Sequence, residues 1–346
     1  MPASKYQWNW MKASLLHAMV KQYEHASPEN KKVYFDFIKK AMDKTYKIAN
    51  GKVPNAVASG LGMAFLYRIS GEEKYKNASQ KIYADYLKTK RTKEGGVSHL
   101  RKDLELWDDT IFMIGQFLLE MYKATKDEKY LDELALQISI HRDKLQDKTS
   151  GLWVHGWDSD KKSHCTFCGQ LNWPDKTTGR SNEIWGRGNG WIVVTLSDAL
   201  EMIPQNNANW AVFAGYLKEM IVQLPALQNK ENGHWYQLPL RNTEPGNFIE
   251  SSSTAMFAYG EATALKLGLV TDTAFKNSID LAYRGLRNYS IRKINDKYIS
   301  TKNVCKGTCI GDKNYYFKRK VKNEKPYSIG MFINFGRRYE AMKNQQ

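Results

Sequence analysis

The chain has 346 residues, 42% of them apolar and 12% aromatic, with a formal net charge of +16. This composition excludes a disordered or collagen-like chain and supplies ample material for a core, while no apolar run approaches the length of a bilayer span. The positive balance favours acidic partners, but Lys and Arg are dispersed and alternate with acids, as solvated helix faces do.

Taken in chain order, apolar residues recur at three-to-four spacing over about 8–25, 30–48, 56–70, 73–91, 106–125, 127–146, 187–203, 207–226, 250–268, 272–289 and 326–343, which predicts helices there. Strand-like alternation is confined to GGVSHL (95–100), GLWVHGW (151–157), GHWYQL (233–238) and KYISTK (297–302), each between helices and near Gly, as hairpins in loops would be. LYRISGEEKY (66–75) and MYKATKDEKY (121–130) repeat one design about 55 residues apart. In both, a helix ends in an aromatic-basic pair, a polar turn follows, and a new helix opens with acids that suit its N-terminus. ALKLGLVTDTAF and ALEMIPQNNANW are weaker versions. A helical hairpin repeated at this period predicts a closed ring or a solenoid. Eleven helices divide into six inner and five outer members, an all-α (α/α)6 barrel with short β-hairpins in its loops, read as a single domain over 1–346. The alternate helices starting near 56, 106, 187, 250 and 326 are rich in small residues and Met and are assigned to the inner ring. The loops leading into them carry clusters of Trp, His and Arg, where a substrate cleft is expected.

Within ELWDDTIFM, Asp108 and Asp109 head an apolar run, and a buried carboxylate costs free energy unless paired or protonated. Neighbours on a helix point about 100° apart, so one acid is expected to face a cavity and the other to cap the helix or meet solvent. Asp109 shares a stripe with Phe112, Met113 and Gln116. In EIWGRGNGW, Arg187 lies between glycines and between Trp185 and Trp191. Tryptophan platforms with an Arg fork suit a sugar ring bearing a carboxylate; the alternative is a close-packed helix start with Arg in an internal ion pair. His99 follows a Gly-Gly turn and His155 lies between Trp153 and Trp157, both in loops expected to border the cavity. His17, His25, His141, His164 and His234 carry less. Glu250, Ser251 and Ser252 are expected to cap the helix that follows. There is no HExxH or GxSxG, so neither a catalytic metal nor a serine nucleophile is expected, and no cofactor is called for. The spacings of Cys165, Cys168, Cys305 and Cys309 fit two halves of a zinc site, disulfides or free thiols.

The ordered set GGVSH, WDDTIFM, HGWD, WPD, WGRGNGW, WYQ and ESSSTAMF resembles glycoside hydrolase family 105, the unsaturated rhamnogalacturonyl and glucuronyl hydrolases, across nearly the whole chain. The related family 88 is a weaker match. VCKGTCIGD and KPYSIGMFI resemble the family's C-terminal segments. The resemblance implies that Asp109 is the catalytic aspartate and His155 an active-site histidine. It implies that Asn55, His99, Trp107, Met113, Trp185, Arg187 and Trp191 contact substrate. It further implies that one Asp protonates C4 of a C4=C5 unsaturated uronide and then assists water, with burial raising its carboxyl pKa. Two features depart from the pattern: Asn55 stands where the family commonly has Asp, and CTFCGQLN precedes WPD.

The implied partner is an unsaturated uronic-acid-terminated oligosaccharide derived from pectin, ulvan or a glycosaminoglycan, with neither nucleic acid nor membrane involved. A non-catalytic acidic-polysaccharide-binding protein on the same barrel is the alternative, suggested by the charge. MPASKYQWNWMKAS lacks the apolar centre of a signal peptide, so the chain is read as intracellular or as having lost a leader. The paired cysteines and acidic substrate lean toward an extracytoplasmic site.

Overall fold

The computed structural model describes residues 2–162, 170 and 172–344. Its longer helices are α1 (Trp10–His25), α2 (Pro28–Thr45), α3 (Gly60–Ser70), α4 (Glu73–Leu87), α5 (Thr110–Thr125), α6 (Lys129–Leu145), α7 (Gly186–Met202), α8 (Ala208–Ile221), α9 (Ser251–Lys266), α10 (Thr273–Gly285) and α11 (Pro326–Lys343). The odd-numbered helices pack on one another in sequence, and α11 closes on α1. Each even-numbered helix lies outside, against the inner helix before it. This is the expected (α/α)6 barrel. No helix is long and apolar enough to cross a membrane.

Burial separates the two rings as the sequence periodicity requires. α5 is buried on every face from Thr110 to Tyr122. Outer helix α4 buries only Tyr75, Ala78, Ser79, Ile82 and Tyr86, a single stripe at three-to-four spacing. Small residues set the approach of the inner helices. A Cβ at Gly115 of α5 would collide with Thr195 of α7, and one at Gly330 of α11 would meet the Ser14 carbonyl of α1. The N-termini carry the expected signals: Asn9 accepts from Lys12 N at 3.0 Å to cap α1, and the Glu250 carboxylate caps α9 by accepting from Ser253 N at 2.7 Å.

The strands depart from the expected local hairpins. Glu105–Trp107 (β1) pairs antiparallel with Gly156–Asp158 (β2), so two distant loops are tied together. Ile291–Lys293 (β3) and Ile299–Thr301 (β4) do form a local hairpin, and Val304–Cys305 (β5) pairs with Val321–Lys322 (β6). GGVSHL and GHWYQL contribute only the isolated bridges Arg91–Val97 and Tyr236–Ile249. The predicted helix over 106–125 starts later, at Thr110. The preceding residues are held as strand and turn by the β1–β2 ladder and by Asp108 N donating to His155 O at 3.1 Å.

The barrel axis is layered. The N-terminal ends of α5, α7 and α9 gather the acid, histidine and arginine groups of the candidate site. Below them Phe112 packs on Trp191 (ring centroids 4.3 Å apart) and edge-on to His17 (5.3 Å). Toward the C-terminal ends lies a buried polar floor centred on Asp198. Its Oδ1 receives Lys21 Nζ at 2.6 Å and Tyr259 OH at 2.8 Å, and its Oδ2 meets His17 Nε2 at 2.8 Å and Gln116 Nε2 at 3.1 Å.

Of the cysteines, Cys309 is disulfide-bonded. Cys305 is a free, buried thiol that meets Thr308 Oγ1 at 3.2 Å and Gln237 Nε2 at 3.1 Å. A zinc site using both members of the CKGTC pair is thereby overturned. Cys165, Cys168 and His164 lie outside the described residues.

Candidate active site

Asp109 immediately precedes α5 with helical backbone angles, and its side chain makes no capping bond. The carboxylate is therefore not spent on the helix end, and part of it stays exposed. Its Oδ2 lies 3.1 Å from His155 Nε2, and His155 Nδ1 lies 2.7 Å from Tyr316 OH. An ionised carboxylate only accepts, so Nε2 carries the proton and Nδ1 accepts from the tyrosine hydroxyl. Tyr316 thus selects the tautomer that His155 presents to Asp109. His155 is fully buried, whereas the Asp109 side chain is 12% exposed. Trp185 lies over the imidazole at 4.4 Å, and Trp107 meets it edge-on at 5.6 Å.

A second histidine flanks the acid. His99 stacks flat on Trp107, with centroids 4.6 Å apart and planes at 3°. Its Nδ1 meets Thr110 Oγ1 at 3.0 Å and its Nε2 meets Asn55 Nδ2 at 3.2 Å. With the Asn55 amide donating, Nε2 accepts and Nδ1–H donates to Thr110. Burial pushes His99 down to about 4, which keeps the ring neutral near pH 7. Trp107 is oriented in turn by Nε1 donating to Glu105 Oε2 at 2.7 Å.

The two adjacent acids differ in state. Burial would raise the Asp109 carboxyl, but the hydrogen bond from His155, with the neighbouring His99 and Arg187, outweighs it and holds Asp109 below the ordinary carboxylate range. This corrects the expectation that burial raises its pKa. Asp108 goes the other way: burial first, then the adjacent Asp109, push it well above the ordinary range. It neither caps the helix nor meets solvent, as had been expected, but is 0% exposed with its carboxyl against Gly188, where a Cβ would fall inside the carboxylate. Residues 105–107 are strand rather than helix, so the turn that follows directs both acids inward. Asp108, Asp109 and His155 each place a ligand-type atom within 4.8 Å of the others, the one such grouping among the described residues. Both His155 nitrogens in it are committed to hydrogen bonds.

Asn55, His99, Trp107, Asp109, His155 and Trp185 are thus brought together. Arg187, Trp191 and Met113 sit otherwise than expected. Arg187 is 0% exposed. Its Nη1 lies 3.4 Å from Glu250 Oε1 and donates to Cys305 O at 3.0 Å, and its Nη2 donates to Lys306 O at 3.0 Å. The guanidinium is clamped between the Trp185 and Tyr327 rings at 4.5 and 4.7 Å. These bonds fasten α7 to α9 and to the C-terminal segment, so its forks are spent on protein rather than on a sugar. Trp191 and Met113 belong to the apolar core beneath the site.

Tyr316 was not singled out from the sequence, because its role depends on contact with His155, which lies 161 positions away in the chain. Glu250 was anticipated only as a cap, yet the same carboxylate also accepts from Cys305 N at 2.9 Å and faces Arg187. Replacing Tyr316 by Phe frees the His155 tautomer and is expected to lower kcat about tenfold at little change in KM. A Tyr316→Phe enzyme with wild-type kcat would remove this residue from the site's machinery.

The model for Glycosyl Hydrolase Family 88 matches residues 2–343. The chain belongs to that family. It is a glycoside hydrolase. It is 26% identical over 273 residues to the unsaturated rhamnogalacturonyl hydrolase YesR of Bacillus subtilis, covering 76% of this chain and 72% of that protein. An unsaturated 3S-rhamnoglycuronyl hydrolase of an Alteromonas species is 25% identical over 194 residues, 55% of this chain and 43% of that one. Among solved structures, a family 105 glycoside hydrolase from C. acetobutylicum superposes with a TM-score of 0.84 at 25% identity, covering 99% of this chain and 96% of the other. The family 105 resemblance seen in the motifs therefore stands alongside family 88 membership.

Proposed function

We propose that this hydrolase removes the 4,5-unsaturated uronic acid from the non-reducing end of acidic oligosaccharides left by a polysaccharide lyase. The reading rests above all on one observation: a single partly open carboxylate, Asp109, held by a neutral histidine beside an aromatic wall. The names of the relatives, hydrolases of unsaturated rhamnogalacturonyl and rhamnoglycuronyl substrates, support the substrate class.

In this mechanism Asp109, when protonated, delivers its proton to C4 of the vinyl ether. Positive charge develops at C5 and is shared with the ring oxygen. Water adds at C5, with the Asp109 carboxylate taking one of its protons. The resulting hemiketal opens to a C5 ketone, and the hemiacetal left at C1 collapses to an aldehyde and releases the aglycone. One acid performs both proton transfers, whereas ordinary glycosidases need two opposed carboxyl groups. His155 holds Asp109 and its water in line, Trp107 and Trp185 wall the sugar, and half-buried Asn55, backed by buried His99, meets the uronate. The disulfide at Cys309 supports an extracytoplasmic location, since disulfides persist in oxidising compartments.

Lyase digests of pectin, ulvan and glycosaminoglycans serve as the test. Ultraviolet absorbance of the conjugated alkene is expected to fall on adding enzyme to at least one of them, with release of a saturated-end oligosaccharide. Unchanged absorbance across all three classes would overturn the reading.

A further inference from the structure

The proposed chemistry requires a proton on Asp109, yet His155 keeps that carboxyl ionised in the free site. The neighbouring acid answers this. Asp108 is 0% exposed, and neither of its oxygens has a partner at good hydrogen-bond geometry among the described residues; the one N–H that favours its charged form is the backbone amide of Asp109. Its Oδ1 is 3.8 Å from His155 Nε2, too far for a bond, while that same nitrogen serves Asp109 at 3.1 Å. One poorly aligned amide does not offset burial away from solvent beside a second carboxylate, so Asp108 is held neutral. An oxygen of the Asp109 carboxyl lies within 4.8 Å of one of Asp108, and two carboxyls that draw together can bond only through a shared proton.

We propose that Asp108 is a positioning residue that holds the site's exchangeable proton and passes it to Asp109 when an anionic substrate enters. The inference rests on the reading of Asp109 as proton donor. The groups facing the pair come from every side. They are His155 from the loop before β2, His99 from the loop before β1, Arg187 from the start of α7, and Tyr316 from the short helix Lys313–Phe317. Arg187 is tied to Glu250 and two carbonyls, and both histidines are neutral, so the exchangeable proton is left to the two acids. The uronate of an entering substrate adds negative charge beside Asp109 and raises its proton affinity. The O–H bond on Asp108 then breaks as one forms on Asp109, leaving the charge on Asp108. Proton release from the added water reverses the transfer, so the site is regenerated without an outside acid. Gly188 is part of the device, since any side chain there would displace the Asp108 carboxyl.

The test pairs a spectrum with a pH profile. In the free enzyme at pH 7, infrared difference spectroscopy of wild type against Asp108→Asn is expected to show the loss of one neutral-carboxyl C=O band. The other buried, raised acid, Glu261, cancels in the difference. Asp108→Asn is also expected to fold with a melting temperature close to wild type, because the amide oxygen still accepts from Asp109 N–H and its nitrogen can donate to the Asp109 carboxylate. Its kcat at pH 7 should fall about tenfold or more with KM little changed, and the alkaline limb of kcat should move about one pH unit or more toward acid. Asp108→Val, which suits the same dry pocket, replaces it if the amide does not fold. A wild-type spectrum without the band, or a pH limb that does not move in an active, folded variant, overturns the role of Asp108. Absence of turnover in the wild type itself, with the band present, would instead overturn the catalytic reading and leave the shared proton standing.

Discussion

Asp109→Asn is expected to lower kcat by about 10⁴-fold while substrate binding survives. General acid–base catalysis by one group is worth roughly 10² to 10⁴, and here a single group performs both the protonation of C4 and the deprotonation of water, so the upper end applies. The amide retains an oxygen to accept from His155 at the position where Oδ2 lies 3.1 Å away, so the geometry of the site is kept while the proton is lost. Trp107, Trp185 and His99 are untouched, and the affinity of the variant for an unsaturated disaccharide, measured by calorimetry, should stay within a few-fold of the wild-type value. Normal turnover by a folded Asp109→Asn enzyme would move the chemistry to another residue. The same pair of measurements separates the enzyme from a barrel that only binds acidic glycans, for which Asp109→Asn has no turnover to lose.

The second large effect concerns stability and lies at the other end of the barrel. Asp198 is 2% exposed and gathers four partners from three helices besides its own. Burial alone would raise its carboxyl, but Lys21 and His17 outweigh that and hold it far below the usual carboxylate range. Removing one member of a buried charge pair costs about 3–5 kcal/mol, chiefly because its partner is left uncompensated. Asp198→Ala strands Lys21, whose other acidic neighbour, Glu201, is 3.9 Å away. Urea unfolding is expected to show a loss of that size, and a loss under about 1 kcal/mol would show that the floor network does not hold the ring together. The pH dependence has a definite sign. A depressed folded-state carboxyl contributes fully above its unfolded value and loses that contribution as pH falls through its folded one. For Glu201, where burial is outweighed by Arg338, Lys21 and Lys266 and the carboxyl is lowered from 4.5 to about 2, the contribution is lost as pH falls from about 4.5 to about 2. Asp198 extends it further into acid.

The ring was legible because α5, α7 and α9 bury every face while their outer partners bury one stripe, and that contrast is written into the apolar spacing. The site was legible where motifs precede the inner helices: GGVSH, WDDTIFM and HGWD bring His99, Trp107, Asp109 and His155 into contact as expected. The state of the two acids was not legible. Periodicity extended the helix back through Asp108, but the ladder between Glu105–Trp107 and Gly156–Asp158, pairing residues about 50 positions apart, turns that acid inward. Arg187 illustrates the same limit. Trp185 and Trp191 suggested a sugar platform, and only the C-terminal carbonyls at Cys305 and Lys306 show where the guanidinium is spent. Tyr316 likewise reaches His155 through tertiary contact alone.

Hydration of the C4=C5 bond, rather than protonation of the glycosidic oxygen, is tested most directly by running the reaction in heavy water and examining the released sugar by NMR. One deuterium at C4, appearing in step with loss of the alkene and release of the aglycone, is the predicted result. A released sugar that keeps its double bond and carries no deuterium at C4 would contradict it.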